Sequence, residues 1–502
     1  MIKNRNNLLK INSTAALIYQ FVALVCGFIL PKLIISYYGS SVNGLVSSIT
    51  QFLGFIALCD MGMGAVVPAS LYKPLAQKNN DEISRIVVSS EKFYRTIAKI
   101  LLFYIVVLTI VYPAIVEGFS ALYKISLIII IASSTFAQYY FGITNSLLIT
   151  ADQRQYFIYV INGVTLILNL VVSYVLIKID CSIQVVKLLS AAIFILRPIC
   201  FSYFVKKHYV INKKIEIIGE PIKQKWNGIA QHLAYTVQEK TSFIVLSILS
   251  TLEYVSVYSI YFLILEGIRG IVYTVSSSLT SYMGNIIASD EQGILHSKFL
   301  EMEWLIHTVS IVVFSSAAVL IVPFVSVYTF GIYDVDYLVP FFPYIITAAI
   351  CFRCLQLPYN IVVQAAGHFK ETQNSAIIEP IINIILSLFL VRQFNLVGVA
   401  IGMLASIVYR FGYLSLYLTK NIIHSTKRGL FKRIFVDAIL ALAIVFSCSL
   451  FSMKDIGYVS WIVMAIKVVL IATTICVIIN MVFYREYLKK LFTTVLNIRL
   501  TK

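Results

Sequence analysis

Glu266 and Arg269 stand three residues apart in "VYSIYFLILEGIRGIVYTVSSSLTSYMGNIIA", a run otherwise made mostly of apolar residues, small hydroxyls and glycines. A carboxylate and a guanidinium at that spacing can neutralise each other on one helical face. The carboxylate can instead take up a proton, and the guanidinium can grip an anionic solute, because its planar fork of donors matches phosphate oxygens at two points. A charge at the centre of a bilayer costs on the order of 2.5 to 3.5 kcal/mol, so both residues must face protein or water. With about 3.6 residues per turn, Ser259, Glu266, Arg269, Tyr273, Ser277, Thr280 and Gly284 fall on one stripe, interrupted by Phe262. The opposite face, through Val257, Ile264, Ile268, Ile271 and Val275, is aliphatic. Such a stripe predicts a cavity lining, with a self-paired structural contact as the competing reading. Phe262 and Tyr273 could stack on sugar rings or simply pack between helices.

Further charges interrupt other apolar runs. Lys32 follows Pro31, Asp60 precedes "MGMG", Lys187 and Arg197 share a run, Glu239 and Lys240 are adjacent, and Glu379 precedes Pro380. Arg353, Arg410 and Lys467 sit within apolar runs of their own, and Asp437 opens another. Lys32, Lys187 and Asp437 lie near helix ends, where snorkelling is an alternative. Arg353 is deeper and has no charged neighbour in sequence. Cations outnumber anions among these residues, which suits an anionic solute. On this reading Arg269 and Arg353, with Arg410 and Lys32, bind substrate, while Glu266 and Asp60 hold those cations or take up a coupling ion, H+ or Na+.

Catalytic signatures are absent. The sequence has no Walker A loop and no H-E-x-x-H, and its six His residues show no ligand spacing, so neither a catalytic residue nor a metal site is expected. Most of the eight Cys residues fall in apolar runs, where Cys behaves as a small hydrophobe. The C-x-x-C at Cys351 and Cys354 has no βαβ surroundings and reads as packing. No cofactor is expected.

Composition sets the elements that must carry these residues. A hydrophobic fraction of 59% and a mean hydropathy of +0.88 define an all-α polytopic membrane protein. The net charge of +17 lies mainly in short segments between apolar runs, so nucleic acid is not expected as a partner. A span needs roughly 20 apolar residues. That rule places fourteen, at about 12–36, 42–68, 100–116, 125–146, 156–177, 183–205, 229–250, 254–287, 303–327, 338–366, 372–391, 396–419, 434–452 and 458–483. The basic start and long first apolar run read as a retained spanning helix rather than a signal peptide. Assigning alternate connecting segments to alternate sides gives 28 Lys and Arg against 4, which puts both termini in the cytoplasm. The stretch 73–99 reads as an amphipathic connector lying on the anionic leaflet.

The lysine-rich segment 206–228 divides a six-helix bundle, 1–205, from a second, 229–431, followed by an extra pair and tail, 432–502. The halves open alike, each with a long helix, a short external turn and a long helix carrying Gly and Ser. Two related halves around a midplane site are a common transporter plan.

"YYGSSVNGLVSSITQFLGFIALCDMGMGAVVPASLYKPLAQKN" resembles the helix 1 to helix 2 region of bacterial polysaccharide flippases of the Wzx type. Its Y-G turn, G-x-G segment and L-Y-K-P-L-A run carry that resemblance. "VSVYSIYFLILEGIRGIVYTVSSSLTSYMGNIIA" is similar to the corresponding helix of their second half. The resemblance spans essentially the whole chain. It implies the fold of the multidrug/oligosaccharidyl-lipid/polysaccharide exporter superfamily, with two six-helix bundles in a V around a central cavity and two added helices. It further implies a monomer in the bacterial cytoplasmic membrane that moves an undecaprenyl-diphosphate-linked oligosaccharide to the outer leaflet by alternating access. Capsule, O-antigen or exopolysaccharide assembly would use the product, alongside a polymerase and other glycan-assembly proteins. Cationic cavity residues of the family fit Arg269 and Arg353; Lys32 and Arg410 rest on the residue argument alone. The rivals are a lipid II flippase, a cation-coupled exporter of small molecules, a polysaccharide polymerase or polyprenyl glycosyltransferase, and a scaffold. An exporter of cationic drugs would want an acidic cavity. An enzyme would want a larger external segment than "YTFGIYDVDY", and a scaffold has no need of charges buried on several helices.

Overall fold

The computed structural model describes all residues except Met1, Met61, 217–228, 289–291, Ser425, Lys454, 491–492 and 494–502. The chain is 88% helix, with no strand among the described residues. Packing divides it into two compact units, Met1–Ser256 and Val257–Lys502.

The first unit holds α1 (Ile2–Tyr38), α2 (Ser40–Leu53), α3 (Met63–Gln77), α4 (Asn80–Ile115), α5 (Ala121–Ala137), α6 (Ile143–Ala151), α7 (Gln155–Lys178), α8 (Ile183–His208) and α9 (Ile229–Leu249). It also takes in the first turn of α10 (Leu252–Ala288). The expected helix 42–68 is broken. A 3-10 turn, Gly54–Asp60, follows α2, and Gly62, in the left-handed region at φ 75°, redirects the chain into α3. The expected surface connector 73–99 is also revised. Its second part is the start of α4, capped by the Asn79 side chain accepting from the Glu82 N–H, and Ile83, Ile86, Val87, Tyr94 and Ile97 are buried in the unit's core. Tertiary burial of that apolar stripe outweighs interfacial placement. Helix α9 packs on α2 and the 54–60 turn, which is why compactness divides the chain beyond the lysine-rich segment. Within that segment, 217–228 lie outside the described residues.

The second unit holds the rest of α10, then α11 (Gln292–Tyr328), α12 (Phe342–Leu355), α13 (Leu357–Ala365), α14 (Phe369–Asn421), α15 (Lys427–Cys448) and α16 (Tyr458–Phe483). Helix α11 is its hub, in contact with α12, α13, α15 and α16. The long α14 is two helices joined at Asn395, whose φ of 44° and ψ of −119° reverse the chain. The two arms pack closely because Gly398 and Gly402 lack side chains. A Cβ on Gly402 would lie 2.5 Å from Ser387 Oγ, and one on Gly398 2.4 Å from the Leu390 carbonyl oxygen.

Eleven of the described helices are long and apolar enough to cross a membrane. The difference from the fourteen expected has local causes. The expected spans 372–391 and 396–419 form the single broken helix α14, α9 is diluted by polar residues along its length, and α15 is apolar but carries the charges of Lys432, Arg433 and Asp437. Phe21, Phe103, Ile110, Phe446 and Val459 are each at least 70% exposed on their helices. An apolar exterior of this kind is what a bilayer stabilises and water does not. The chain is a multi-pass membrane protein.

Candidate functional site

The second unit gathers three of the predicted arginines on α10, α12 and α14. Helix α10 is anchored by Tyr261, whose hydroxyl donates to the Tyr337 carbonyl at 2.8 Å while its ring meets Phe342 edge-on at 5.2 Å. That packing sets the rotation of the helix that carries Glu266 and Arg269. Their side chains form an ion pair of 2.5 Å, and the Arg269 guanidinium lies 5.3 Å from the centre of the Tyr273 ring. Arg269 is thus held by a carboxylate one turn before it and an aromatic face one turn after, and both sides of this clamp are local to α10. The Arg269 and Glu266 side chains retain 13% and 25% of their exposure.

Arg353 has no charged partner on its own helix, and the structure supplies one from another. Glu379, at Pro380 in the first arm of α14, places Oε1 3.7 Å from Arg353 Nη2, with both side chains buried. Arg410, in the second arm of α14, donates to the Thr372 carbonyl at 2.9 Å and also to the Ser375 hydroxyl. Arg410 lies within electrostatic range of Glu379, and Cys354 within range of Arg269, Arg353 and Glu266. The three arginines and two carboxylates therefore form one belt across α10, α12 and α14, with a surplus of positive charge. Its donors suit an oxyanion, because an Arg fork can exchange a protein carboxylate for a phosphate without losing its charge-assisted hydrogen bonds.

The remaining predicted residues are placed as follows. Phe262 is partly buried and stacks on Tyr258 at 5.8 Å, while Tyr273 is 37% exposed. The aliphatic face of α10 is buried at Val257 and Ile264 but 54% exposed at Ile271. The Ser277 side chain lies outside those described. Lys32 and Asp60 belong to the first unit and are partly buried. Asp60 closes the 54–60 turn beside the Tyr94 hydroxyl, within electrostatic range of His232. Two further cations of that unit have polar partners: Arg197 donates to Thr165 Oγ1 at 2.7 Å, and Lys240 to Gln51 Oε1 at 2.6 Å.

Sequence reading passed over Glu379 as a site residue, although a Glu before Pro within an apolar helix is a usable signal. It also missed Glu303 and His307, and it placed Arg433 in a cytoplasmic segment, whereas Arg433 is buried in α15. Glu303 with His307, and Arg433 with Asp437, each repeat at four residues, which puts each pair on one helical face. No group of three or more His, Cys, Asp or Glu placed to hold a metal occurs among the described residues.

The fold defined by these helices is shared with solved membrane transporters. Among solved structures, the lipid II flippase MurJ in an inward closed conformation superposes with a TM-score of 0.73 at 13% identity, covering 95% of this chain and 99% of its own. A multidrug resistance MATE family transporter of the MOP superfamily, inward-facing, superposes at 0.60 and 11% identity, covering 79% of this chain and 95% of its own. An outward-facing MATE structure gives 0.55 at 12% identity over 82% and 96%. No protein-family model and no curated protein matches the sequence. At these identities the likeness establishes the fold.

Proposed function

We propose that this protein is a flippase that carries a polyprenyl-diphosphate-linked oligosaccharide from the cytoplasmic to the outer leaflet of a bacterial membrane, for the assembly of a surface polysaccharide. The observation that carries this reading is the belt of Arg269, Arg353 and Arg410 within an apolar helical unit, with Glu266 and Glu379 set against it. Such a belt has surplus charge and forked donors for a diphosphate, and Phe262 and Tyr273 on the same helix offer faces to sugar rings. The protein acts by alternating access, as a transporter rather than an enzyme. Glu266 shields Arg269 when substrate is absent. Lys32 and Asp60, in the other unit, have the same roles of anion binding and of charge pairing or ion coupling. A second reading, a lipid II flippase, is favoured by the extent of the superposition on MurJ, and it uses the same diphosphate chemistry.

The test is a double-mutant cycle read by glycan export and membrane protein level. If Arg269 engages phosphate, Arg269→Ala abolishes export at normal protein level, and Arg269→Lys restores only part of it because the two-point fork is lost. The double variant Glu266→Ala, Arg269→Ala then stays inactive. Full rescue by the double variant would reduce Arg269 to a partner of Glu266 and remove its substrate role. Complementation of strains lacking either a polysaccharide flippase or a lipid II flippase separates the two substrates.

A further inference from the structure

A second charged cluster of the same unit lies at the contact of α11 with α15. Glu303, His307, Arg433 and Asp437 are all more than nine-tenths buried, and the four-residue spacing on each helix sets the pairs face to face. Asp437 Oδ1 lies 3.0 Å from Arg433 Nη2, and its Oδ2 lies 2.6 Å from His307 Nδ1. The same Arg433 nitrogen donates to Thr308 Oγ1 at 3.1 Å and to the Trp304 carbonyl at 3.2 Å. Glu303 accepts from the Tyr359 hydroxyl of α13 at 2.6 Å. The other imidazole nitrogen, His307 Nε2, is 3.1 Å from the carbonyl oxygen of Leu355, the last residue of α12.

Both ring nitrogens therefore meet oxygen atoms. A peptide carbonyl can only accept, so Nε2 must carry hydrogen. At 2.6 Å, Nδ1 and the Asp437 oxygen need a proton between them, whichever atom it is bonded to. A neutral imidazole beside an ionised carboxylate supplies one ring hydrogen where the geometry asks for two. The charge count points the same way. With His307 neutral, two carboxylates face one guanidinium in a buried site, and one added proton brings the cluster to neutrality. Among the described residues, the other ionisable groups facing it, Cys476 of α16 included, do not alter that count. Cys351 of α12 and Tyr359 of α13 are neutral when protonated, and Tyr484, after α16, offers its ring to Arg433 at 5.0 Å. From α14 the cluster meets the Phe411 ring, 6.3 Å from the imidazole.

We propose that the His307–Asp437 contact is a binding site for one exchangeable proton, which fastens α15 to α11 and to the end of α12. Loss of the proton leaves an oxygen facing a bare nitrogen and an uncompensated negative charge in a buried site, which weakens the contact. The inference stands on this geometry and is independent of what the protein transports.

The test is 15N-histidine NMR of the full chain in lipid nanodiscs across a pH series. The expected result is one imidazole with both nitrogens protonated that is absent from H307Q. Asp437→Asn should abolish that signal, and Glu303→Gln should make it disappear at lower pH, because a nearby negative charge that favours the proton has gone. These two variants keep the test independent of whether H307Q folds. A His307 with one bare nitrogen throughout the pH series would overturn the proposal. A signal that neither D437N nor E303Q moves would overturn it as well.

Discussion

At the scale of single residues, the guanidinium of Arg353 illustrates how a buried charge is tolerated and what its removal should show. It sits beside Glu379 at 3.7 Å, with both groups nearly removed from solvent. Taking away one member of such a pair leaves the other's charge in a low-dielectric surround, which typically costs about 3–5 kcal/mol, whereas replacing both by apolar groups is often neutral or better. Arg353→Met and Glu379→Leu should therefore each lower the thermal midpoint in detergent, and the double variant should recover most of the loss. Transport adds the discriminating readout. If Arg353 also engages diphosphate, the stable double variant remains unable to export glycan, and recovery of export would assign the pair to structure alone. The sequence showed that Arg353 must face protein or a water-filled cavity rather than lipid, because a charge amid apolar residues is costly in a bilayer. It could not show the partner, since Glu379 is on another helix and only folding brings the two together. Arg269 is the opposite case: its partner is three residues away, and the pairing was legible from spacing.

At the scale of elements, two helices carry the argument. In α10 the polar stripe and the aliphatic face were readable from the 3.6-residue period, and Ile271 is exposed on the aliphatic side while Val257 and Ile264 are buried. A stripe in contact with water and a face in contact with lipid differ in thiol chemistry, because a membrane-impermeant reagent attacks the thiolate and reaches it only through water. Cys at position 273, in a background cleared of reactive Cys, should be labelled from at least one side of the membrane, and Cys at 271 should not. Equal labelling of the two positions would deprive the stripe of directional meaning. In α14 the length of the apolar run gave two spans, but the tightness of their pairing was hidden in two glycines. Gly402→Val should lower stability by about 1–3 kcal/mol or more, since its side chain must displace Ser387 in a close-packed contact. Gly412, in the same helix with no atom within 4 Å of an added Cβ, is the control, and Gly412→Ala should cost nothing. Similar thermal shifts for both variants would show that helix propensity, rather than arm packing, sets the response.

At the scale of the whole molecule, hydropathy made the class legible because a bilayer forces backbone polar groups into helices and leaves the exterior apolar. Individual spans were harder to read where charge enters a helix. Helix α9 is diluted by polar residues along its length and α15 carries Lys432, Arg433 and Asp437 in its first half, yet α15 buries Arg433 and Asp437 against α11, so the charge of those two residues faces inward. The position of α15 therefore decides how the membrane is threaded. If α9, both arms of α14 and α15 all cross, the chain crosses an even number of times and the Lys- and Arg-rich segments share one side. Reporter fusions after Tyr209, Lys370 and Arg428 should then read as cytoplasmic, and those after Ser120, Asp180 and Asp334 as external. The Arg428 fusion is the critical one, because it lies between the second arm of α14 and α15. A cytoplasmic signal there requires that arm to cross, with Asn395 turning the chain at the opposite face. An external signal would mean that α14 crosses only once, would place the lysines at 427 and 432 on the wrong side for their charge, and would undo the threading on which the proposed transport direction depends.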